Sequence, residues 1–535
     1  MLSCPNTRSS RFMSEPLKLV RIPTLKTAAD FSNHVASLGL DLPCEDQIAT
    51  GNASPLTRPV ADVTINGKTI DNRWAIQPME GWDGTTSGGA TEEVRRRWQR
   101  FGQSGAKLIY GGEAMAVRPD GRANPNQLII VEQNKKDLAE LREILIRAHG
   151  ERYGNTGDPV IGFQLTHSGR FCKPNDKFRL EPSVAYRHPI LDKKFNVTSD
   201  AQVFTDGEIE QLIQCYIAAA KIAWDVGADF VDIKHCHGYL LHEFLSAFTR
   251  PGKYGGSFES RTRILREIVQ GIRASGNRIE IGVRLSAFDF VPFKPDPALS
   301  QPGKLGPGIP EDFSHCLPYR YGFGVNQNNP LEYDLTETFQ FAELCAQLGV
   351  KILNLSAGSP YYNPHIQRPA AYPPSDGYQP PEDPLVGVAR QMNMVRQIAR
   401  RVKELNGSTD HPVTPSPHRP SSPSTLQPLN ASAPIVVGSA YSYLQEYLPH
   451  VAQYVVRNGW TDMIGIGRMT LAYPNVLADA VEKGALEKKF ICRTFSDCTT
   501  APRNGLISGC YPLDKYYAAK PESQKLKEIK KAAGA

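Results

Sequence analysis

The chain has 535 residues, of which 40% are hydrophobic and 22% charged, and its formal net charge at pH 7 is +6. This composition is that of an ordinary globular protein, and the length accommodates one enlarged domain or two to three domains of average size. No long Lys/Arg run and no apolar run of bilayer-spanning length occurs, which argues against nucleic acid or a membrane as a partner. We attribute the small positive excess to solvated surface or to attraction for an anionic cofactor.

The ten cysteines are scattered along the chain, a pattern that predicts free thiols in a reducing compartment. The first thirteen residues contain two Arg, three Ser and no acidic residue, a faint likeness to a mitochondrial presequence. Because this segment is short and poor in helix formers, we expect a cytoplasmic rather than a mitochondrial protein. The number of subunits stays open, and a homo-oligomer is one alternative.

Residues 1–70 lack sustained periodicity, and we interpret them as a lead-in with a small hairpin around Asn66-Gly67. Over residues 71–486, short apolar runs alternate with amphipathic stretches, which indicates βα units and a parallel sheet. The predicted strands cover 73–79, 106–113, 160–166, 228–235, 279–285, 351–355, 434–438 and 462–467. The predicted helices cover 91–103, 135–149, 206–226, 258–274, 335–348, 385–405, 442–458 and 474–483. Eight such repeats predict an α/β protein, a (β/α)8 TIM barrel enlarged by loops beyond the plain size of about 250 residues.

Three connections are much longer than the usual length of about 4 to 6 residues. The loop after strand five, 288–334, is predicted to be a lid, and the loop after strand six, 359–384, a wall of the substrate site. Segment 406–433 is low in complexity and follows a helix, so we predict a disordered insertion at the bottom of the barrel. Residues 487–535 are predicted to form a C-terminal extension that ends in a solvated, Lys-rich helix.

Titratable side chains follow the fourth predicted strand, where Lys234, His235, His237 and Tyr239 precede a Gly-rich loop. In parallel α/β proteins the catalytic groups lie where strands end, because the loops there are exposed while the strands hold them rigidly. These four side chains are therefore the candidate catalytic residues.

Glycines follow the seventh and eighth predicted strands, as Gly438-Ser439 and Gly467-Arg468. In many barrels the loops at these two positions form a phosphate site, since glycine lets backbone N–H groups approach the anion. With Arg468 to complete the charge balance, the pattern predicts a phosphorylated ligand.

Two further polar side chains lie on predicted strands three and five. Gln164 carries an amide that can both donate and accept toward the edge of a heterocycle. Arg284 lies between apolar neighbours, and a buried cation requires an anionic partner or an electron-rich ring atom.

These residues together resemble the old yellow enzyme family of flavin oxidoreductases. Members of that family are FMN-binding barrels that carry hydride from NADH or NADPH to an activated alkene or a related acceptor. The motifs that carry the resemblance are Gln164-Leu165 with 167–170, HGYL at 237–240 with YGGS at 254–257, VRLS at 283–286, and 465–468.

The resemblance implies a small unsaturated molecule as substrate, Tyr239 as its proton donor, and His237 as one of two groups that bind its activating oxygen. It implies contacts of Gln164 with the pyrimidine edge of FMN and of Arg284 near its N1/O2 side. The complete set of cofactor-binding positions implied in this way is Pro78, Met79, Glu80, Ala114, Gln164, Arg284, Gly438, Ser439, Gly467 and Arg468.

Two departures from the family pattern concern the site itself. Lys234 stands where the family usually has a His, and either Lys234 or His235 takes over its role. Glu80 stands where Thr or Cys usually lies beside the flavin. A carboxylate there would disfavour anionic reduced flavin and could act in proton transfer, or it could simply turn to solvent.

Two further departures concern the surroundings of the site. The long loops after strands five and six leave the size of the substrate open. Cys498 and Cys510 match the last two of four cysteines that bind an iron-sulfur cluster in larger relatives, but Ile491 and Thr494 occupy the other two positions. Since Cys492 is out of register, we expect no cluster.

Two alternatives remain beside the flavin enzyme. His235 and His237, two apart on a regular strand, could share a metal ion in a barrel hydrolase, with Glu80 or Asp83 as further ligands. That hypothesis leaves the Gly-rich loops without a purpose. The other alternative is a catalytically degenerate flavin-binding protein.

Overall fold

The computed structural model describes residues 17, 19–405 and 433–534 of the chain. The first thirteen residues and, apart from its last residue, the predicted disordered insertion 406–433 therefore lie outside the described residues. Within the described ranges, no helix is both long and apolar enough to cross a bilayer. The cysteines described there are all free thiols.

Eight parallel strand positions close into a barrel, in which Ala75 of the first strand pairs with Gly465 of the last. The strands are β1 Trp74–Ile76, β2 in two pieces Leu108–Ile109 and Ala114–Ala116, β3 Val160–Thr166, β4 Phe230–Ile233, β5 Glu280–Ser286, β6 Ile352–Ser356, β7 Ile435–Gly438 and β8 Met463–Ile466. All eight predicted strands are confirmed. Several are shorter than predicted, because the apolar runs continue into the loops.

A helix follows each strand and covers the outside of the barrel. These helices are α1 Glu92–Gln103, α2 Lys135–Tyr153, α3 Asp206–Asp225, α4 Arg263–Ala274, α5 Thr336–Gln347, α6 Pro384–Glu404, α7 Leu448–Arg457 and α8 Val476–Glu482. In α2, Leu138, Leu141 and Leu145 share the buried face, the spacing that predicts an amphipathic helix. The other α-helices are Ala28–Ser37, Leu191–Lys194, Leu240–Leu245, Phe258–Arg261, Pro364–Gln367, Met469–Ala472, Asp497–Arg503, Lys515–Ala518 and Glu522–Ala533.

The predicted hairpin is confirmed and closes the amino-terminal end of the barrel. Its antiparallel strands, Val60–Ile65 and Lys68–Ile70, turn through Asn66 and Gly67, whose φ angles are 50° and 74°. Asn66 and Lys68 both bind the carboxylate of Asp229, which precedes β4, at 3.1 and 3.0 Å. The apolar side of the hairpin packs into the barrel interior, so a ligand can enter only from the opposite end.

The two long loops differ in their relation to that open end. Loop 288–334 contains the short antiparallel pair Phe293–Pro295 and Gly308–Pro310. Its Phe293 backbone N–H donates to the Tyr362 carbonyl at 2.7 Å. The expectation of a lid is wrong for this loop, since none of its residues lines the cleft at the barrel mouth. It instead supports loop 359–384, which does form a wall.

The C-terminal extension folds back over the barrel mouth. Asp514 of the extension binds Arg96 and Arg100 of α1, at 2.8 and 3.2 Å. The last helix, Glu522–Ala533, is largely exposed as predicted but buries Leu526 against the rest of the extension. The extension is thereby held close to the carboxyl ends of the strands.

Candidate active site

A cleft opens at the carboxyl ends of the barrel strands. It encloses about 1350 Å³ of space, including the solvent at its mouth, which is ample for a cofactor and a small substrate. The strand ends, loop 359–384 and the C-terminal extension form its walls. The predicted site residues that line it are Pro78, Met79, Glu80, Gln164, Lys234, His237, Tyr239, Arg284, Ser439, Gly467 and Arg468.

His235, predicted as a catalytic candidate, lies outside the cleft wall. The ring is fully buried, its Nδ1 lies 2.9 Å from the Ile233 carbonyl oxygen, and it packs 5.5 Å from the Phe341 ring of α5. It therefore faces the helix layer. Of the two candidates for the family's substrate-binding His, Lys234 alone reaches the cleft.

The prediction that His235 and His237 share one face is also wrong. β4 ends at Ile233, and His237 has a φ of 67°, so the regular alternation of a strand no longer applies between them. The described residues contain no group of three or more His, Cys, Asp or Glu side chains that could hold a metal ion. The geometry therefore gives no support to a metal-dependent hydrolase.

Two predicted cofactor contacts, Ala114 and Gly438, lie behind the cleft surface. Ala114 is part of β2, opposite Gln164, and its carbonyl accepts a hydrogen bond from Gln127 at 2.9 Å. The carbonyl of Gly438 faces the Gln77 amide at 3.4 Å, and a Cβ at this position would stand 2.8 Å from the Tyr441 hydroxyl. Both positions support the wall of the cleft, and neither of them lines it.

One end of the cleft is electropositive, with Arg368 and Arg468 as its cations. Neither guanidinium forms an ion pair with a carboxylate of the described chain. Arg368 donates to the hydroxyls of Ser496 and Thr499, at 2.9 Å to Ser496. Burial, together with the nearby charge of Arg468, lowers the pKa of Arg368 well below its usual value. Two cations without a counter-charge beside the Gly467 loop favour an anionic ligand.

The floor of the cleft holds a buried polar network around Asp232. Its carboxyl accepts from the Gln164 amide at 2.5 Å, the Arg284 backbone N–H at 2.7 Å and the Tyr110 hydroxyl at 3.3 Å. Burial raises the pKa of Asp232 to about 6. The Nε of Arg284 is buried without a hydrogen-bond partner in the described protein. Such an atom is costly unless a ligand binds it.

Tyr239 lies in the wall of the cleft, within a chain of hydrogen bonds. Its hydroxyl donates to Glu80 Oε2 at 2.9 Å and lies 2.8 Å from the Tyr361 hydroxyl. Lys234 Nζ binds Glu80 Oε1 at 2.6 Å. Burial raises the pKa of Tyr239 well above 10, and the Glu80 carboxylate adds to the effect. Tyr239 therefore keeps its proton at neutral pH.

His237 provides a neutral imidazole on the same side. Burial, reinforced by the charges of Arg284 and Lys234, lowers its pKa well below 6.5. Its Nε2 lies 3.1 Å from the Ser356 hydroxyl, and its backbone N–H donates to Ser286 at 2.8 Å. A neutral ring can offer one N–H to a substrate oxygen.

Several residues of the site were missed from the sequence. Asp232 lies on β4 two residues before Lys234, and alternation along the predicted strand 228–235 could have identified it. Tyr361 stood out only as one of four tyrosines in a Pro-rich loop. Loop 359–384 and the extension contribute further lining residues for which no local signal exists: Gln367, Arg368, Thr499, Pro502, Arg503 and Ser508.

An eight-stranded barrel whose mouth combines two cations without a counter-charge, a buried polar floor and a buried, protonated tyrosine is typical of cofactor-dependent barrel enzymes. Residues 60–297 match the model of the NADH:flavin oxidoreductase / NADH oxidase family. By this match, which covers less than half of the chain, the protein is similar to the FMN-dependent NAD(P)H oxidoreductases of the old yellow enzyme type.

Individual relatives agree with this assignment. An NADH:flavin oxidoreductase of Gibberella zeae is 27% identical over 330 residues, 59% of this chain and 71% of that protein. An NADPH dehydrogenase of a Geobacillus species is 33% identical over 239 residues, 43% of this chain and 63% of that protein. The chain thus spans less than two thirds of the latter. A 2-naphthoyl-CoA reductase structure, 17% identical, shares the fold with a TM-score of 0.55 over 85% of this chain and 56% of that one.

The residues of the cleft fit FMN. The unpartnered Nε of Arg284 and the Gln164 amide suit the polar edge of a flavin ring, and Arg368 with Arg468 suits a phosphate. At Gly465 a Cβ would stand only 2.5 Å from the Gly438 carbonyl oxygen. This tight approach of β7 and β8 shapes the end of the cleft where the phosphate would lie.

Proposed function

We propose that the protein reduces an activated alkene, such as an enone, with FMN, NADH or NADPH, and Tyr239 as the proton donor. When bound, FMN supplies the hydride to the β-carbon of the substrate. The observation that carries the proposal is the buried Tyr239 hydroxyl, whose raised pKa keeps it protonated inside the cleft. A group that holds its proton at pH 7 and lies beside the substrate can act as a general acid.

The other residues of the cleft would bind and orient the substrate. Tyr239 would protonate the α-carbon while the neutral ring of His237 donates a hydrogen bond to the activating oxygen. Such a donor stabilises the negative charge that develops on that oxygen. Tyr361, stacked 3.9 Å from Phe171, would form the wall against which a small unsaturated molecule lies.

The direct test of this role is the Tyr239→Phe variant, which keeps the ring but removes the proton. We expect alkene reduction to fall by about 100-fold or more, the usual contribution of a positioned general acid. Reduction of the bound flavin by NADPH, followed anaerobically by the loss of visible absorbance, should stay near the wild-type rate.

Tyr361→Phe is the matched control, since it removes the neighbouring hydroxyl and keeps the stacked ring. Its loss in alkene reduction should be much smaller. An equal loss of both half-reactions in Tyr239→Phe would contradict the assignment of Tyr239 as proton donor. A purified protein without flavin absorbance after incubation with FMN would contradict the cofactor assignment.

A further inference from the structure

Glu80 connects the proton donor to a buried ammonium group. Lys234 Nζ lies 2.6 Å from Oε1 of Glu80, and the Tyr239 hydroxyl lies 2.9 Å from Oε2. The Trp82 indole N–H also donates to Oε2, at 2.9 Å. The three side chains therefore form one continuous path of hydrogen bonds from an ammonium to a phenol.

This arrangement creates a difficulty for a tyrosine that gives up its proton. The resulting phenolate would lie beside the Glu80 carboxylate, and two adjacent anions in a buried site disfavour each other. The Tyr239 oxygen already contacts Glu80 at 2.9 Å and the Tyr361 hydroxyl at 2.8 Å, which leaves water little room to reach it. Another group must return a proton to Tyr239 before the next turnover.

We propose that Lys234 reprotonates Tyr239 through the Glu80 carboxyl group, so that the three residues act as a proton relay. The inference rests on the proposed function. After the Tyr239 O–H bond breaks and the substrate C–H bond forms, a Lys234 N–H bond breaks and its proton binds Glu80 Oε1.

The remaining steps restore the starting state. The carboxyl group makes a half-turn about its Cγ–Cδ bond and transfers the proton to the Tyr239 oxygen. Phenolate and ammonium have then become phenol and amine, and Glu80 is a carboxylate again. The Lys234 amine finally takes a proton from water in the cleft, which it lines together with Glu80. The two electrons of the reaction come from the hydride, so no further reductant is needed.

The relay explains why a lysine stands at this position. An ammonium can release a proton in a protein, whereas a guanidinium cannot. Lys234 Nζ also lies 3.4 Å from the centroid of the Tyr239 ring, close to the place where the negative charge appears. With its ammonium bound to Glu80, Lys234 serves Tyr239 rather than the substrate oxygen.

Two variants of the FMN-loaded protein test the relay. Glu80→Gln keeps the shape of the side chain but cannot carry the proton, and Lys234→Arg keeps the positive charge but cannot release one. Each variant, reduced in advance and supplied with excess NADPH, is mixed with cyclohexenone, maleimide and a nitroalkene. Product is measured for the first turnover and in the steady state.

We expect a burst of one equivalent of product in both variants, since Tyr239 already holds its proton. Later turnovers should be at least about tenfold slower than in the wild type, because reprotonation has become slow. A small protonated buffer such as imidazolium should restore the later turnovers in proportion to its concentration. The wild type should show neither the burst nor this dependence on buffer.

A second readout requires no turnover. The carbon-13 shift of labelled Tyr239, measured against pH with and without FMN, reports its ionisation. The pKa of Tyr239 should fall in Glu80→Gln, since the carboxylate raises it, and should stay near the wild-type value in Lys234→Arg. This result would also show that each variant is folded at the site.

Several outcomes would overturn the relay. Wild-type steady-state turnover in Lys234→Arg would show that only the positive charge matters. A first turnover slowed as much as the later ones would show that the two residues merely position Tyr239. If the wild type reduces none of the three alkenes, the proposed function fails as well. If it reduces them and the variants show no burst, the relay fails alone.

Discussion

Asp232 is the residue that joins three functional parts of the cleft floor. Its carboxyl binds the Gln164 amide and the Arg284 backbone, and Asp232 lies on β4 two positions before Lys234, which follows the end of that strand. The side chain is completely buried. A buried carboxyl favours its neutral form, because desolvation penalises the charge. The residue that orients the Gln164 amide thus lowers the stability of the protein at neutral pH.

Asp232→Asn should reveal this cost through the dependence of stability on pH. The pKa of Asp232 is about 6 in the folded protein and near 3.9 when unfolded. Protonation therefore stabilises the fold fully below pH about 4, and this contribution is lost as the pH rises through 6. Relative to wild type, the variant should gain up to roughly 3 kcal/mol in free energy of unfolding between pH 4 and 7.

Urea denaturation without added FMN, at a series of pH values, measures this difference. Asp229→Asn is a useful comparison, because that carboxylate pairs with Lys68 at the opposite end of the barrel. Parallel stability curves for wild type and Asp232→Asn across this pH range would show that Asp232 titrates normally.

At the scale of elements, loop 359–384 determines what the cleft can bind. Its Ser359 backbone N–H and Asn363 side chain are hydrogen-bonded to each other at 2.6 Å, and Asn363 also binds Asp289. The short helix Pro364–Gln367 follows and directs Arg368 toward the hydroxyls of the C-terminal extension. The loop is thus held by loop 288–334, by its own turn and by the extension.

Arg368→Gln tests whether this element completes the phosphate end of the site. Each hydrogen bond to a charged group contributes about 1.5 to 3 kcal/mol, so we expect FMN affinity to fall by roughly 10- to 100-fold. The salt dependence of binding should also weaken, because one cation fewer meets the anion. Fluorescence titration of FMN at two ionic strengths measures both effects.

Arg396→Gln is the control for a lost positive charge, since Arg396 lies on the exposed side of α6 and binds Asp41. It should leave FMN affinity almost unchanged. Equal affinity of the wild type and Arg368→Gln would place the phosphate elsewhere in the cleft.

Across the whole molecule, segments that precede and follow the eight repeats cover the two ends of the barrel. The hairpin near the start closes the bottom of the barrel, and the C-terminal extension supplies Thr499 and Arg503 to the cleft at the top. Arg503 binds Asp376 of loop 359–384 at 2.6 Å. The wall of the site is therefore built from two segments that are distant in sequence and support each other.

Asp514→Asn should loosen this arrangement. The carboxylate binds Arg96 and Arg100 of α1, and it also caps the helix Lys515–Ala518 by accepting from the Tyr516 backbone N–H at 3.1 Å. Its loss should cost about 1 to 3 kcal/mol of local stability. We expect faster proteolysis within residues 487–535 and weaker FMN binding.

Asp200→Asn serves as the control, because that carboxylate forms an exposed pair with Arg187 away from the cleft. Limited proteolysis with mass analysis, in the presence and absence of FMN, compares the variants. Identical cleavage of Asp514→Asn and wild type would show that other contacts hold the extension.

The barrel, its eight repeats and the general position of the site could be predicted because they depend on local patterns. Apolar spacing along strands and helices, glycines at strand ends and the Asn66-Gly67 turn all act over a few residues. The bounds of α1 and α3 accordingly agree with the prediction to within one residue. The same reasoning placed Tyr239, Gln164 and Arg284 at strand ends, and in the structure they line a single cleft.

The contacts that define this particular site depend instead on distance in space. Glu80 and Lys234 are 154 residues apart, and Arg368 and Thr499 are 131 apart, so no local pattern connects them. His235 was misplaced because β4 ends at Ile233, two residues before it. The chain then leaves the strand geometry, and His237 adopts a left-handed backbone conformation. Burial and the pKa values that follow from it exist only once the chain is packed, because desolvation is a property of the surroundings.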